Sequence, residues 1–160
     1  MSTPLLHGPP RDTDTPFSVE GLRSDADLPP VLAAVQSISL PDGPSEALDG
    51  LVDALSRRAA DHPGLVRAAD AVTVAGGAVL LVTLWESIAD LRAFVLDSGA
   101  DTRSWRARTG LTPVSERALW WTCRQGTPDP AEARSRLARL RADGPGPHAF
   151  TLRSPVPPPR

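Results

Sequence analysis

The chain has 160 residues, 17 basic and 19 acidic, with a formal net charge of −2 and a pI near 5.9. That length suits one domain with a real core, and that charge excludes a whole-chain basic footprint for nucleic acid. Every basic residue is arginine, which fits a GC-rich coding bias, and the lone Cys123 excludes an internal disulfide. The N-terminus has no basic segment followed by a long apolar run, so a secretory signal is not expected and the cytoplasm is the default location.

Residues 1–30 carry six prolines, two arginines and five acidic residues without helical or strand periodicity. Such a segment buries too little apolar area to offset its ordering entropy, which predicts a mostly disordered tail. The domain is expected over residues 31–153, with residues 154–160 a second, polyproline-like tail.

Residues 31–40 read as a first strand. Pro44 sits where a first helical residue belongs, and Leu48, Leu51, Val52, Leu55 and Ala59 repeat at helical spacing until His62, Pro63 and Gly64 end that helix. Residues 71–85 are fifteen residues without a charge, too short to span a bilayer and broken at the centre by Gly76 and Gly77. This pair supplies the positive φ angles of a tight hairpin, so residues 65–75 and 78–85 read as antiparallel strands, the first irregular near residues 68–70. Residues 79–85 are apolar at nearly every position, so both faces of that strand require cover.

Ser87 and Asp90 resemble a capping box before a stripe of Ile88, Leu91, Phe94 and Val95, and residues 101–108 add a further turn or two before Gly110. A fourth strand is expected over residues 117–124, placing Cys123 mid-strand as an inert core thiol. Asp129, Pro130 and Glu132 then mark a helix start, with Glu132 and Arg136 paired at i, i+4. A short closing strand is expected over residues 148–153. The order β-α-β-β-α-β, with an added helix and strand, predicts an α+β, ferredoxin-like (split βαβ) antiparallel sheet with helices on one face. The uncovered face of the apolar strand then calls for a second copy of the sheet, giving a homodimer.

The segments Leu84, Trp85, Glu86, Ser87; Leu91 to Val95; Leu119, Trp120, Trp121; Gly126 with Pro128; and Gly144 through Arg153 resemble an uncharacterised domain family. It belongs to the dimeric α/β-barrel superfamily, beside the antibiotic-biosynthesis monooxygenases. The resemblance implies two ferredoxin-like protomers closing into a barrel, with ligand between sheet and helices. It also implies functions from cofactor-free oxygenation to non-catalytic binding. Ala100 stands where the family is expected to carry a histidine, and Gly110 and Leu111 stand at a Trp-Phe pair.

The candidate site residues follow from chemistry. Trp85, Trp105 and Trp121 are indoles that could wall a pocket for a flat apolar ligand, against the commoner role of core anchors. Trp120 and Trp121 are neighbours in a strand and must face opposite ways. Arg103 and Arg106 share a helix face and could clamp an acidic group, where a solvated face is the ordinary alternative. His148 and Glu86 are the candidate proton-transfer groups. Arg134, Arg136, Arg139 and Arg141 read as a solvated face. The scattered His and Cys have no metal-ligand spacing, so no metal or other cofactor is expected. The strand at residues 79–85 lacks the aromatic and basic residues of an RNA-binding sheet, so no nucleic acid is expected, and no membrane span. The leading expectation is a monooxygenase-like, cofactor-independent enzyme acting on a small apolar or aromatic molecule. The alternative is a non-catalytic binding or assembly protein of the same fold.

Overall fold

The computed structural model describes residues 28–160. In chain order they form β1 (Val31–Ser39), a 3₁₀ turn (Ser45–Leu48), α1 (Asp49–Ala60), β2 (Leu65–Ala68), β3 (Val72–Thr73), β4 (Val79–Trp85), α2 (Ile88–Thr109), β5 (Val114–Thr122) and α3 (Pro130–Asp143). β1 lies between β4 and β5, antiparallel to both, and β4 also pairs with β2 and β3. With β2 and β3 counted as one interrupted strand, this is the ferredoxin-like order, α+β as expected. The interruption at residues 69–71 falls where the sequence looked irregular, and a separate register shift lies earlier, between Leu65 and Arg67. Gly76 and Gly77, at φ 90° and 82°, turn the chain into β4. The expectation of a tail over residues 1–30 falls almost wholly outside the described residues.

The alternation of side chains in β1, β4 and β5 divides the core in two. Leu32, Ala34, Ile38, Val79, Leu81, Trp85 and Leu119 meet α1 and α2 on the first face. Val31, Ala33, Val35, Leu80, Val82, Leu84, Ala118 and Trp120 meet Ala133 and Leu137 of α3 on the second. The double burial of the apolar strand is therefore real, but its cover is different from the one expected. α3 of the same chain covers the second face, so that face no longer calls for a second copy. The added helix thus lies opposite the α1 and α2 pair.

Other elements differ in extent. α2 runs unbroken for 22 residues through Gly99, where the sequence suggested two pieces. A glycine costs a helix roughly 1 kcal/mol relative to alanine. Burial of Ser98 and Trp105 on the same helix outweighs that cost, and Gly110 in the left-handed region ends it. β5 starts and stops earlier than expected, leaving Cys123 beyond the strand and exposed; it is not a core thiol. The closing strand reduces to one bridge to the sheet, between Phe150 and Leu119, because the chain turns back on itself at residues 151–154.

Candidate functional site

β4 ends at Trp85, and the chain passes through Glu86 and Ser87 into α2. The Ser87 hydroxyl oxygen accepts from the Asp90 backbone N–H at 3.1 Å and donates to the Asp90 carboxylate at 2.6 Å, which fixes the helix start. Next to this corner Trp121 projects from the end of β5. Its indole N–H donates to the Val156 carbonyl at 2.8 Å, and its ring lies 6.4 Å from that of Phe150. The corner, Trp121, the prolines just before β1 and the C-terminal prolines border an open cleft of about 580 Å³, lined by Pro29, Pro30, Glu86, Ser87, Ile88, Ala89, Trp121, Pro158 and Pro159. That volume lies within the range of small-molecule sites.

Among the described residues, Glu86 is the one ionisable group in this lining. Both its oxygens accept from Arg124, at 2.8 and 2.6 Å. The paired guanidinium holds the carboxyl below the usual carboxylate range. It is therefore a stable carboxylate and a weak base while the pair is closed.

The other candidate residues do not converge on this cleft. Trp85 is wholly buried, its N–H donated to the Thr83 hydroxyl at 2.8 Å and its ring set against His62 and Phe94. Trp105 is buried in the core beneath the 3₁₀ turn, donating to the Ala47 carbonyl at 3.2 Å. Arg103 and Arg106 do share one side of α2, on a hollow of about 300 Å³ near Gly110, Leu111 and Thr112. His148 is exposed beside the C-terminal end of α3, in a small hollow with Arg139 and Asp143. Among the described residues, the seven candidates thus fall apart: Glu86 and Trp121 share the cleft, Arg103 and Arg106 share the separate hollow on α2, and the other three join neither pair.

The arginines of α3 are not simply a solvated face. Arg136 pairs with Glu132 at 3.1 Å as the spacing predicted, donates to the His148 carbonyl at 2.7 Å, and sits 5.3 Å from the Trp120 ring centre. Arg141 pairs with Glu116 of β5. Trp120 faces α3 and Trp121 faces α2, the opposition that strand geometry required.

Sequence reasoning missed two features. The prolines at both ends of the described chain line the cleft, although composition marked them as tails. Arg117 is the second. It shares a face of β5 with Leu119 and Trp121, and its side chain is only partly exposed, with no ion pair among the described residues. Burial pulls its pKa down to about 10. Its cross-strand neighbour is Gln36, whose Nε2 donates to the Ser115 hydroxyl at 2.9 Å. An arginine on the same-face stripe as Leu119 and Trp121 was the available signal.

Among the described residues, no group of three or more His, Cys, Asp or Glu is arranged to hold a metal. No helix among them is long and apolar enough to cross a membrane.

This ferredoxin-like chain belongs to a family described as a domain of unknown function, DUF3291, which matches residues 22–160. No curated protein matches it. A similar solved structure is that of SnoaB, a cofactor-independent oxygenase from Streptomyces nogalater. It is 18% identical, covers 62% of this chain and 99% of its own, and superposes with a TM-score of 0.45.

Proposed function

We propose that this protein binds a small, flat, apolar or aromatic molecule in the cleft at the start of α2. The observation that carries this reading is the union, in one cleft of about 580 Å³, of the Trp121 ring, Ile88 and four prolines. These groups offer ring and hydrocarbon surface, and most of the nearby hydrogen-bonding groups are already paired within the protein. Mass spectrometry of small molecules released on denaturing the purified protein tests it. A planar apolar compound is expected from the native chain and is lost from Trp121→Ala; an identical release from that variant removes the reading.

Glu86 supports a second reading, a monooxygenase-like, cofactor-independent enzyme. A carboxylate in an apolar cleft can take a proton from a phenol or an activated carbon, provided Arg124 yields its hold. Glu86→Gln separates the two. It leaves retention of the compound intact under both readings and abolishes its turnover only under the enzymatic one.

The reading includes a homodimer in the cytoplasm. Since α3 occupies the second sheet face, the partner would meet the outer side of α3 and the β3–β4 rim, where a hollow of about 550 Å³ lies open. Light scattering that gives a single-subunit mass at micromolar concentration removes this part.

A further inference from the structure

After its bridge to Leu119, the chain turns at residues 151–154, where the Ser154 N–H donates to the Thr151 carbonyl at 3.2 Å. Arg92 of α2 donates to the Leu152 carbonyl at 3.0 Å, and Leu152 and Val156 pack on the core beneath the first sheet face. Trp121 then holds the Val156 carbonyl, so that Pro158 and Pro159, themselves exposed, arrive at the cleft. Residues 155–160 thus form a strap anchored at one side chain and one hydrogen bond.

Its chemistry is specific. Prolines have no N–H, so the strap cannot be zipped into the sheet, and its ring-fixed φ resists repacking around a bulky guest. The indole N–H of Trp121 is used up on the strap, which leaves the ligand the ring itself. Flat aromatic faces match such ring surfaces better than globular hydrocarbons do.

We propose that residues 155–160 are the ligand-selecting wall of the cleft, and that their anchoring through Val156 makes the site prefer a planar aromatic ring over a cage-like apolar molecule of similar carbon count. This rests on the binding function proposed above and adds the element that selects the ligand's shape.

The test uses the full chain and two variants. Val156→Gly loosens the anchor without altering any residue that lines the cleft, and Pro158→Gly with Pro159→Gly removes the wall's rings. Binding of 2-naphthol is followed by its fluorescence, and binding of 1-adamantanol by its competition with 2-naphthol. The native chain is expected to prefer 2-naphthol by about tenfold, the scale on which hydrophobic sites tell similar groups apart. Both variants still bind 2-naphthol but lose most of that preference. A native chain without preference, or variants that keep it, overturns the strap's role while leaving the cleft a binding site. Failure of either alcohol to bind any of the three proteins overturns the cleft itself, and the strap's role with it.

Discussion

The two faces of the sheet are finished differently. On the first, Trp85, Trp105 and Trp121 all have their indole N–H groups satisfied, by Thr83, the Ala47 carbonyl and the Val156 carbonyl. On the second, Trp120 is as deeply buried but its N–H has no partner among the described residues. A buried donor without a partner costs about 1–3 kcal/mol. The first face is thus a core in which each tryptophan is fixed by both packing and a hydrogen bond. The second is closed by a single added helix, and its tryptophan is held by packing and by the Arg136 cation alone. The cleft lies on the first side, bordered by Trp121, which packing and one hydrogen bond hold in place.

The largest expected effect comes from emptying the first face. Trp85 is fully buried between His62 and Phe94, so Trp85→Ala should cost about 3–5 kcal/mol in denaturant unfolding. A loss under about 1 kcal/mol would mean that this core is not packed as described. Leu137→Ala tests the second face in the same way. Leu137 is 3% exposed at the heart of the α3 contact, and its truncation should cost about 2–5 kcal/mol, toward the lower end if the helix can settle. Near-neutrality there would mean that α3 is not the cover of the sheet, and would restore the case for a second subunit on that face.

What the sequence disclosed follows from the range of each signal. Local devices were legible: Gly76 and Gly77 in the hairpin, Ser87 and Asp129 as caps, and the opposition of Trp120 and Trp121. The ferredoxin-like order followed from the apolar periods, and so did the need to cover both faces of β4. The identity of the second cover was not legible. Ala133 and Leu137 show an inward stripe but carry no mark of which face receives it. The cleft was half legible, since Glu86 and Trp121 are chemically conspicuous while Pro158 and Pro159 read as a tail. Their place beside the cleft goes with one hydrogen bond between positions 35 residues apart, which composition cannot encode.

Acid should weaken the layers together, by a smaller amount. Asp101, paired with Arg58, ties α2 to α1; Glu116, paired with Arg141, ties β5 to α3; Glu86 is paired with Arg124 beside the cleft. Each carboxyl is held below its ordinary range, first of all by the hydrogen bond from its arginine. A carboxyl with a lowered folded pKa binds fewer protons when folded. Its contribution is therefore complete above the unfolded value, and is lost as pH falls through the folded one. The pairs are partly solvated, so screening by water keeps the contribution of each small. Stability should fall below about pH 4.5, the onset set by ordinary carboxylate pKa values. Asp101→Asn should reduce the acid dependence that belongs to the α1–α2 layer, and Glu116→Gln that of α3. Urea midpoints from pH 7 to pH 3 that are parallel for the native chain and both variants would show that neither pair contributes.

The smallest expected effect is the most discriminating. Trp120→Phe removes the unpartnered indole N–H, which returns some of its desolvation cost, while it gives up ring volume and weakens the attraction of Arg136. A cation over an aromatic ring is worth about 0.5–1 kcal/mol at a partly exposed site, and phenylalanine keeps part of it. The terms oppose each other, so the net change should stay within about 1.5 kcal/mol, far from the cost at Trp85. Trp121→Phe removes a satisfied N–H instead and recovers nothing, so it should be the more damaging of two chemically identical substitutions at adjacent positions. Equal losses at positions 120 and 121, measured by thermal unfolding, would mean that the Trp120 N–H does have a partner, and the distinction between the two faces would collapse into packing alone.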